Sequence, residues 1–288
     1  MLNLCPVSVI ILTLNEEITL PTALKSVVNW ASQVFVVDSF STDRTADIAR
    51  SYGAAVYENE FKGYTAQRNW ALKNLPINND WVIFLDADEY LSEEIKSEIS
   101  VRLQSVPADA GGFYTKIRFE FMGKWLKHGD IYNSLIRMVR IGRASYINTG
   151  GCREKLMVQG RVLTLDSYIV HDDRKTIIDW YMKQGDRILL DAQERLENGK
   201  RAKNVSAPSA SSSCTIEGSR SVTLRNRFLL RLPGPVRPFA QFFYRYILRL
   251  GFLDGWPGFV YHFLLQFWYP LMVEALYHQL KRKQHSNE

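Results

Sequence analysis

Three short apolar runs, each closing on polar or acidic residues, constrain this chain more than any other feature. They are VSVIILTL (7–14), VFVVD (34–38) and WVIFLDADE (81–89). Each is a run of strand length rich in β-branched residues, the pattern of a strand covered on both faces. Helix-patterned segments lie between them. ITLPTALKSVVNWA (18–31) sets Leu20, Leu24, Val27 and Val28 on one side, and STDRTADIARSYG (41–53) has a Ser/Thr/Asp start and a Gly stop. AAVYEN adds a weaker strand and TAQRNWALKNL another helix. Strands alternating with helices predict an α/β protein built on a doubly wound, mostly parallel sheet. The run 7–14 is not read as a signal peptide, because no basic residue precedes it and Glu16 and Glu17 follow at once.

Past residue 110 the pattern changes. GGFYTKIRF and RVLTLDSYIV read as short strands, and KTIIDWYMKQGDRILLDAQERLENGK as one amphipathic helix. SAPSASSSCTIEGS is a Ser-rich linker or loop. In PFAQFFYRYILRL, residues Phe239, Phe242, Phe243, Tyr246, Ile247 and Leu250 form a helical stripe, with Gln241, Arg245 and Arg249 opposite. The nearly apolar stretch from Trp256 to Val273 contains Pro270 and falls short of the roughly 20 residues of a bilayer span. Aromatics, a stripe and flanking cations suit a helix lying in a membrane interface. An aromatic core or a dimer face would use the same pattern.

Charge placement agrees with a surface-seeking tail. The 288 residues carry a net charge of +6. Residues 224–288 hold nine Lys/Arg against three Asp/Glu, so the preceding part is balanced. A basic aromatic tail suits an anionic membrane, and the N-terminal region lacks the basic stripe of a nucleic-acid binder. Cys5, Cys152 and Cys214 are too few and too scattered for a disulfide framework or a zinc site, which points to a reducing cytoplasm.

In open parallel sheets, ligands bind at the carboxyl ends of the strands. Here those ends read Thr13-Leu14-Asn15-Glu16, Asp38-Ser39 and Asp86-Ala87-Asp88-Glu89. The last is the sharpest. Carboxylates at i and i+2 just past a buried strand can turn toward one ligand, and Mg²⁺ or Mn²⁺ takes carboxylate and phosphate oxygens. Capping of the helix SEEIKSEI by Asp88 or Glu89 is the competing reading, and Ser92 competes for that cap. No Gly-x-Gly-x-x-Gly follows the first strand, which argues against a nicotinamide dehydrogenase.

Together, SVIILTLNEE, VFVVDSFSTDRTADIA, FKGYTAQRNWAL and WVIFLDADE resemble family 2 glycosyltransferases of the GT-A fold. The subgroup that the chain is similar to includes bacterial lipopolysaccharide-core β-glucosyltransferases. The resemblance is dense over 7–100, looser to about 190, and returns at YRYILRLGFLDGWPGF. It implies that Thr13, Asn15 and Glu16 line the nucleotide pocket, that Asp38 contacts the base, and that Arg68 approaches the base or diphosphate. Asp86 would reach ribose or metal, Asp88 would ligate the metal, and His171 would complete the metal shell or touch the diphosphate. An exposed helix-surface charge is the alternative for Arg68, and a structural histidine for His171. An inverting transfer also needs a base for the acceptor hydroxyl. NTGGCREKL supplies Glu154, where relatives commonly have His-Glu and this chain has Arg153-Glu154. Trp125, Lys127 and His128 fall on the acceptor side without an assigned role.

The expectation is a metal-dependent hexosyltransferase on the cytoplasmic face of the cell membrane. Its donor would be a nucleotide sugar, UDP-linked, and its acceptor a lipid-linked glycan such as lipopolysaccharide core or a capsule or exopolysaccharide precursor. Residues 1–200 would form the GT-A domain, 201–223 the linker, and 224–288 membrane-associating helices. The tail could equally close an oligomer. Rivals are a polyprenyl-phosphate glycosyltransferase and a non-catalytic membrane scaffold on a transferase fold.

Overall fold

The structure, a computed structural model, describes residues 4–131, 134–150, 153–172, 176–201, 214–216 and 232–286. The first half is the expected alternation: β1 (Cys5–Thr13), α1 (Leu20–Val27), β2 (Ala31–Asp38), α2 (Thr45–Ser51), β3 (Ala55–Glu58), α3 (Tyr64–Asn74) and β4 (Trp81–Asp86). Strands β3, β2, β1 and β4 lie side by side and parallel. Val7, Val9, Ile10 and Ile11 of β1 are fully buried because both faces of the sheet are covered. Burying each such side chain contributes roughly 1.5–3 kcal/mol, which is why the run is continuously apolar.

Beyond β4 the sheet becomes mixed. β5 (Glu89–Leu91), α4 (Glu93–Arg102), β6 (Ala110–Phe121), β7 (Lys124–Trp125), β8 (Ser134–Arg140) and β11 (Arg161–Asp172) continue it. Among the described residues its order is β3-β2-β1-β4-β8-β6-β11-β5, with β7 on β6. β8 runs antiparallel to both β4 and β6, whereas β11 runs parallel to β6. Helices α1, α2 and α4 cover one face. The other face is covered by α3 and by the hairpin β9 (Ala144–Gly150) and β10 (Arg153–Gln159). Ser92 caps α4, accepting from the Ile95 N–H at 3.5 Å, so neither Asp88 nor Glu89 serves that purpose.

The C-terminal part begins with α5 (Ile177–Arg201). Inside the Ser-rich stretch, β12 (Cys214–Ile216) pairs with β10, and most of the remaining stretch lies outside the described residues. Helix α6 (Arg237–Phe243) runs into a π-helical stretch, Tyr244–Leu248. Then α7 (Gly255–His262), a π-helical stretch Phe263–Trp268, and α8 (Tyr269–Ser286) follow without a break. The π turns precede Pro270, whose missing N–H a regular α-helix would need. The predicted stripe is only partly covered. Phe242 and Tyr246 turn inward onto Phe259, while Phe239 is 58% exposed and Phe243 55% exposed. No described helix is long and apolar enough to cross a membrane.

These helices pack on the rest of the chain. Tyr261 packs with Leu126, Ile131, Phe119 and Phe121, and α8 packs along α5 through the Arg195–Glu274 ion pair.

Candidate active site

Register brings the predicted strand ends to one edge. Thr13 lies opposite Asp38, and Leu12 lies opposite Asp86. At the end of β4, Asp86 is held from two sides. Arg68 Nη2 donates to Asp86 Oδ1 at 2.8 Å, and Arg137 Nη2 donates to Asp86 Oδ2 at 2.7 Å. The same Arg137 nitrogen reaches Glu89 Oε1 at 2.5 Å, and Glu89 Oε2 accepts from the Asp86 N–H at 3.0 Å. Glu89 is only 3% exposed. Burial opposes ionisation of Asp86, but Arg137 and then Arg68 outweigh it and hold this carboxyl well below the usual range. For Glu89 burial dominates, opposed by Arg137 and reinforced by Asp86, and its carboxyl is pushed up.

Arg68 is therefore not an exposed helix charge. It is 7% exposed, with its guanidinium 5.4 Å from the Tyr146 ring centre and 5.8 Å from that of Phe84. Asn69 fixes this contact by donating to the Tyr146 carbonyl at 2.7 Å and accepting its N–H at 2.9 Å. Arg137 was missed in the sequence. Its signal was an arginine in the middle of the apolar strand pattern of SLIRMVR, where a buried charge needs a partner.

Asp88 meets His171 at the next level. His171 Nδ1 lies 3.4 Å from Asp88 Oδ1, and its ring stacks on Phe119 at 4.7 Å. β11 brings the histidine there, since His171 pairs with Glu89 of β5 and with Phe119 of β6. Glu16, Arg68, Asp86, Asp88 and His171 all line one cavity of about 620 Å³. Thr13, Asn15 and Asp38 sit just outside its lining, in a bonded loop cluster. Asp38 is 2% exposed and accepts from Thr13 Oγ1 at 2.7 Å, Ser41 N at 2.7 Å and Ser41 Oγ at 2.6 Å. Asn15 adopts φ 54°, a left-handed conformation that asparagine tolerates, and its Oδ1 accepts from the Thr42 N–H at 2.8 Å. Glu16 accepts from Thr19 Oγ1 at 2.7 Å, and its N–H donates to Thr45 Oγ1 at 2.8 Å.

The opposite wall of the cavity comes from α5 and the C-terminal helices, including Trp180, Arg187, Tyr261 and Tyr269. Asp254 anchors this wall. Buried at 2% exposure, it accepts from the Lys127 N–H at 3.0 Å, the His128 N–H at 2.8 Å and His128 Nδ1 at 2.8 Å. Lys124 Nζ donates to its carbonyl at 2.8 Å. Close by, Gly129 and Gly251 leave room for the buried His262 ring, which a Cβ at either position would strike. Arg245 and Arg249, opposite the stripe, donate to Asp130, to its carbonyl at 3.3 Å and to its carboxylate at 3.4 Å. Trp125 lies between Arg118 and Lys127, 4.5 and 4.6 Å from its ring centre, away from the cavity lining. The backbone of Glu154 lies in β10 opposite Asn148, and its side chain lies outside the described part of the structure.

Fit to a divalent cation can be tested on these residues. Among the described residues no three His, Cys, Asp or Glu side chains converge as a metal cage. Both Asp86 oxygens are engaged by arginines, which leaves Asp88 and His171 as the donor pair. Mg²⁺ and Mn²⁺ are commonly held by one or two protein groups, with substrate phosphates and water completing the shell. The donor set fits that mode and not an all-protein cage.

An uncharacterised glycosyltransferase of Rickettsia bellii is 37% identical over 146 residues, which is 50% of this chain and 49% of the relative. The lipopolysaccharide core biosynthesis glycosyltransferase LpsC of Rhizobium meliloti is 27% identical over 203 residues, covering 68% of this chain and 74% of that protein. Among solved structures, glucosyl-3-phosphoglycerate synthase of Mycobacterium tuberculosis, in complex with Mn²⁺, UDP and glucosyl-3-phosphoglycerate, is 22% identical with a TM-score of 0.33, covering 40% of this chain and 44% of that one. The chain spans about half the length of several curated relatives that it matches. The profile of Glycosyl transferase family 2 matches residues 8–154, from β1 through the clamped Asp86 and the Asp88 position to β10, and the chain belongs to that family.

Proposed function

We propose that the protein is an inverting, metal-dependent glycosyltransferase that moves a hexose from a UDP-sugar to a glycan carried on a lipid. The observation that carries the reading is the Asp88–His171 pair beside a doubly clamped Asp86, in a cavity at the carboxyl ends of parallel strands. Membership of the family supports the reaction class, and the likeness to LpsC supports a lipid-linked glycan such as lipopolysaccharide core.

Asp88 and His171 would hold Mn²⁺ or Mg²⁺, which when bound neutralises a departing diphosphate. Arg68 and Arg137 keep Asp86 ionised and fixed, so that it offers a set acceptor to a ribose hydroxyl. Asp38 acts through the turn that it closes with Thr13 and Ser41, shaping the base pocket beside Asn15 and Glu16. Glu154 is the proposed base: it takes the proton of the acceptor hydroxyl as that oxygen bonds to the anomeric carbon and the bond to diphosphate breaks. The hairpin that carries it also carries Tyr146 of the cavity wall. No second carboxylate in the sequence suggests a covalent nucleophile, so a single displacement with inversion follows.

Residues 224–288 are proposed to rest on the inner face of the cell membrane, with residues 1–200 as the transferase domain. The apolar side chains left outside the fold support this, Trp256 at 66% exposure and Leu248 at 61% among them. Flotation with anionic vesicles tests the surface, and loss of binding in Trp256→Ser is the expected result.

Hydrolysis of a UDP-sugar panel by the purified protein, with Mn²⁺ or EDTA and beside Asp88→Ala, tests the reaction. Slow UDP release from one donor, abolished by EDTA and by the substitution, is expected. No turnover and no UDP binding with any metal would overturn the enzyme reading.

A further inference from the structure

The cavity contains three arginines in unequal states. Arg68 and Arg137 are bound to Asp86 and Glu89, and their charges are largely answered. Arg187 also lines the cavity, yet no hydrogen bond or ion pair joins its guanidinium to any described residue. Its helix offers an obvious partner. Asp191 lies one turn further along α5, at the i+4 spacing where Arg and Asp commonly pair. Instead, Asp191 Oδ2 accepts from the Tyr269 hydroxyl at 2.9 Å, a bond made across to α8. This i+4 carboxylate is thus held by the neighbouring helix, and Arg187 lines the cavity without it.

A half-buried arginine in a concave site is partly desolvated, and an anion bound there offsets that cost. Its planar fork matches phosphate oxygens better than any other side chain does. We propose that Arg187 is a phosphate-binding residue of this cavity, receiving either the diphosphate of the donor or a phosphate carried by the acceptor. The inference rests on the transferase reading and deepens it: the floor would hold the metal side of the anion, and α5 would supply a second cation from the wall.

The test uses the full-length protein with Mn²⁺ and compares UDP with uridine by calorimetry in wild type, Arg187→Met and Arg187→Lys. Arg187→Met keeps the aliphatic stem, and an unchanged Tm confirms that it folds. If the donor diphosphate is the ligand, Arg187→Met weakens UDP binding by roughly tenfold to a hundredfold. Uridine binding stays unchanged, and Arg187→Lys recovers part of the loss. If the acceptor phosphate is the ligand, UDP binding is untouched, and inhibition of UDP-sugar hydrolysis by farnesyl phosphate is lost in Arg187→Met. UDP binding and farnesyl phosphate inhibition both within twofold of wild type would overturn the assignment while leaving the transferase reading intact. Failure of the wild-type protein to bind UDP would overturn that reading and the assignment with it.

Discussion

At the floor of the cavity, Asp86, Glu89, Arg68 and Arg137 answer one another within a few ångströms, on strands whose register is fixed by a fully buried sheet. At the wall, aromatic helices are held to the same body through one buried carboxylate, Asp254, and through the Tyr261 ring packed at an angle on Phe119 and Phe121. The floor is over-determined, since every carboxylate has more than one partner. The wall depends on a few long-range contacts between segments more than a hundred residues apart. Under the proposed transferase reading, the floor would hold the reacting groups rigidly and the wall would admit an acceptor.

The comparison breaks most visibly at Arg137. Replacing it by Leu leaves Glu89 buried without its cation and Asp86 with one of two. Removing one partner of a buried charged cluster costs about 3–5 kcal/mol. Part of that is discounted here because the Asp86 side chain is 36% exposed. Denaturant unfolding should therefore show a midpoint shift at the lower end of that range. A change below about 1 kcal/mol would mean that the clamp contributes no stability. Asp254→Ala should cost less, about 2–3 kcal/mol, through the N–H groups of Lys127 and His128 that it leaves unanswered. Hydrogen exchange should locate the damage in residues 251–286 with β1 and β4 still protected. Equal loosening of both regions would erase the distinction drawn between them.

Acid should separate the regions next. Burial first, and then Arg245, push the buried His262 imidazole down to about 4, while Asp254 pulls the other way. The unfolded chain therefore binds this proton first, and the stability contributed by neutral His262 is lost as pH falls from about 6.5 toward 4. That is about 2 kcal/mol between pH 6.5 and 5. Asp86 behaves oppositely in range: its depressed carboxyl contributes stability above the ordinary aspartate value and loses it only as pH falls below that value. Glu89, pushed up, is relieved rather than strained by acid. The wall should loosen before the floor. Melting temperature against pH should be flatter in His262→Gln between pH 6.5 and 5, and parallel curves would refute the assignment.

The same asymmetry governs what the sequence disclosed. β1, β2 and β4 were legible because a strand buried on both faces must be continuously apolar, and the residues ending it must be polar if a ligand is to meet them. Asp86 and Asp88 followed from that pattern, whereas Arg68, on a helix, was pointed to only by the family resemblance. Arg137 did not follow: an arginine inside SLIRMVR announces a buried charge in need of a partner, but its partners lie 48 and 51 residues away and the strand does not say which they are. Asp254 had a visible oddity, a lone acid among glycines and aromatics in GFLDGWPGF, but its partners sit in KWLKHG. The tail's stripe was legible as helix, but not which of its rings would find partners, because Phe259, on which Phe242 and Tyr246 pack, comes from a later helix.

The smallest effect bears on the acidic segment Asp86–Glu89 and the helix that follows it. If Ser92 is the cap of α4, Ser92→Ala should cost about 0.5–1 kcal/mol, at the low end because its bond to the Ile95 N–H is 3.5 Å long. Glu89→Gln would cost more despite its conservative shape, since it weakens the Arg137 bridge and the bond from the Asp86 N–H together. The ratio matters more than either value. A Ser92→Ala loss equal to or larger than that of Glu89→Gln would mean that Glu89 is peripheral to the floor. A clear excess for Glu89→Gln, with UDP binding weakened alongside, would make Glu89 the support that keeps Asp86 in place beside Asp88.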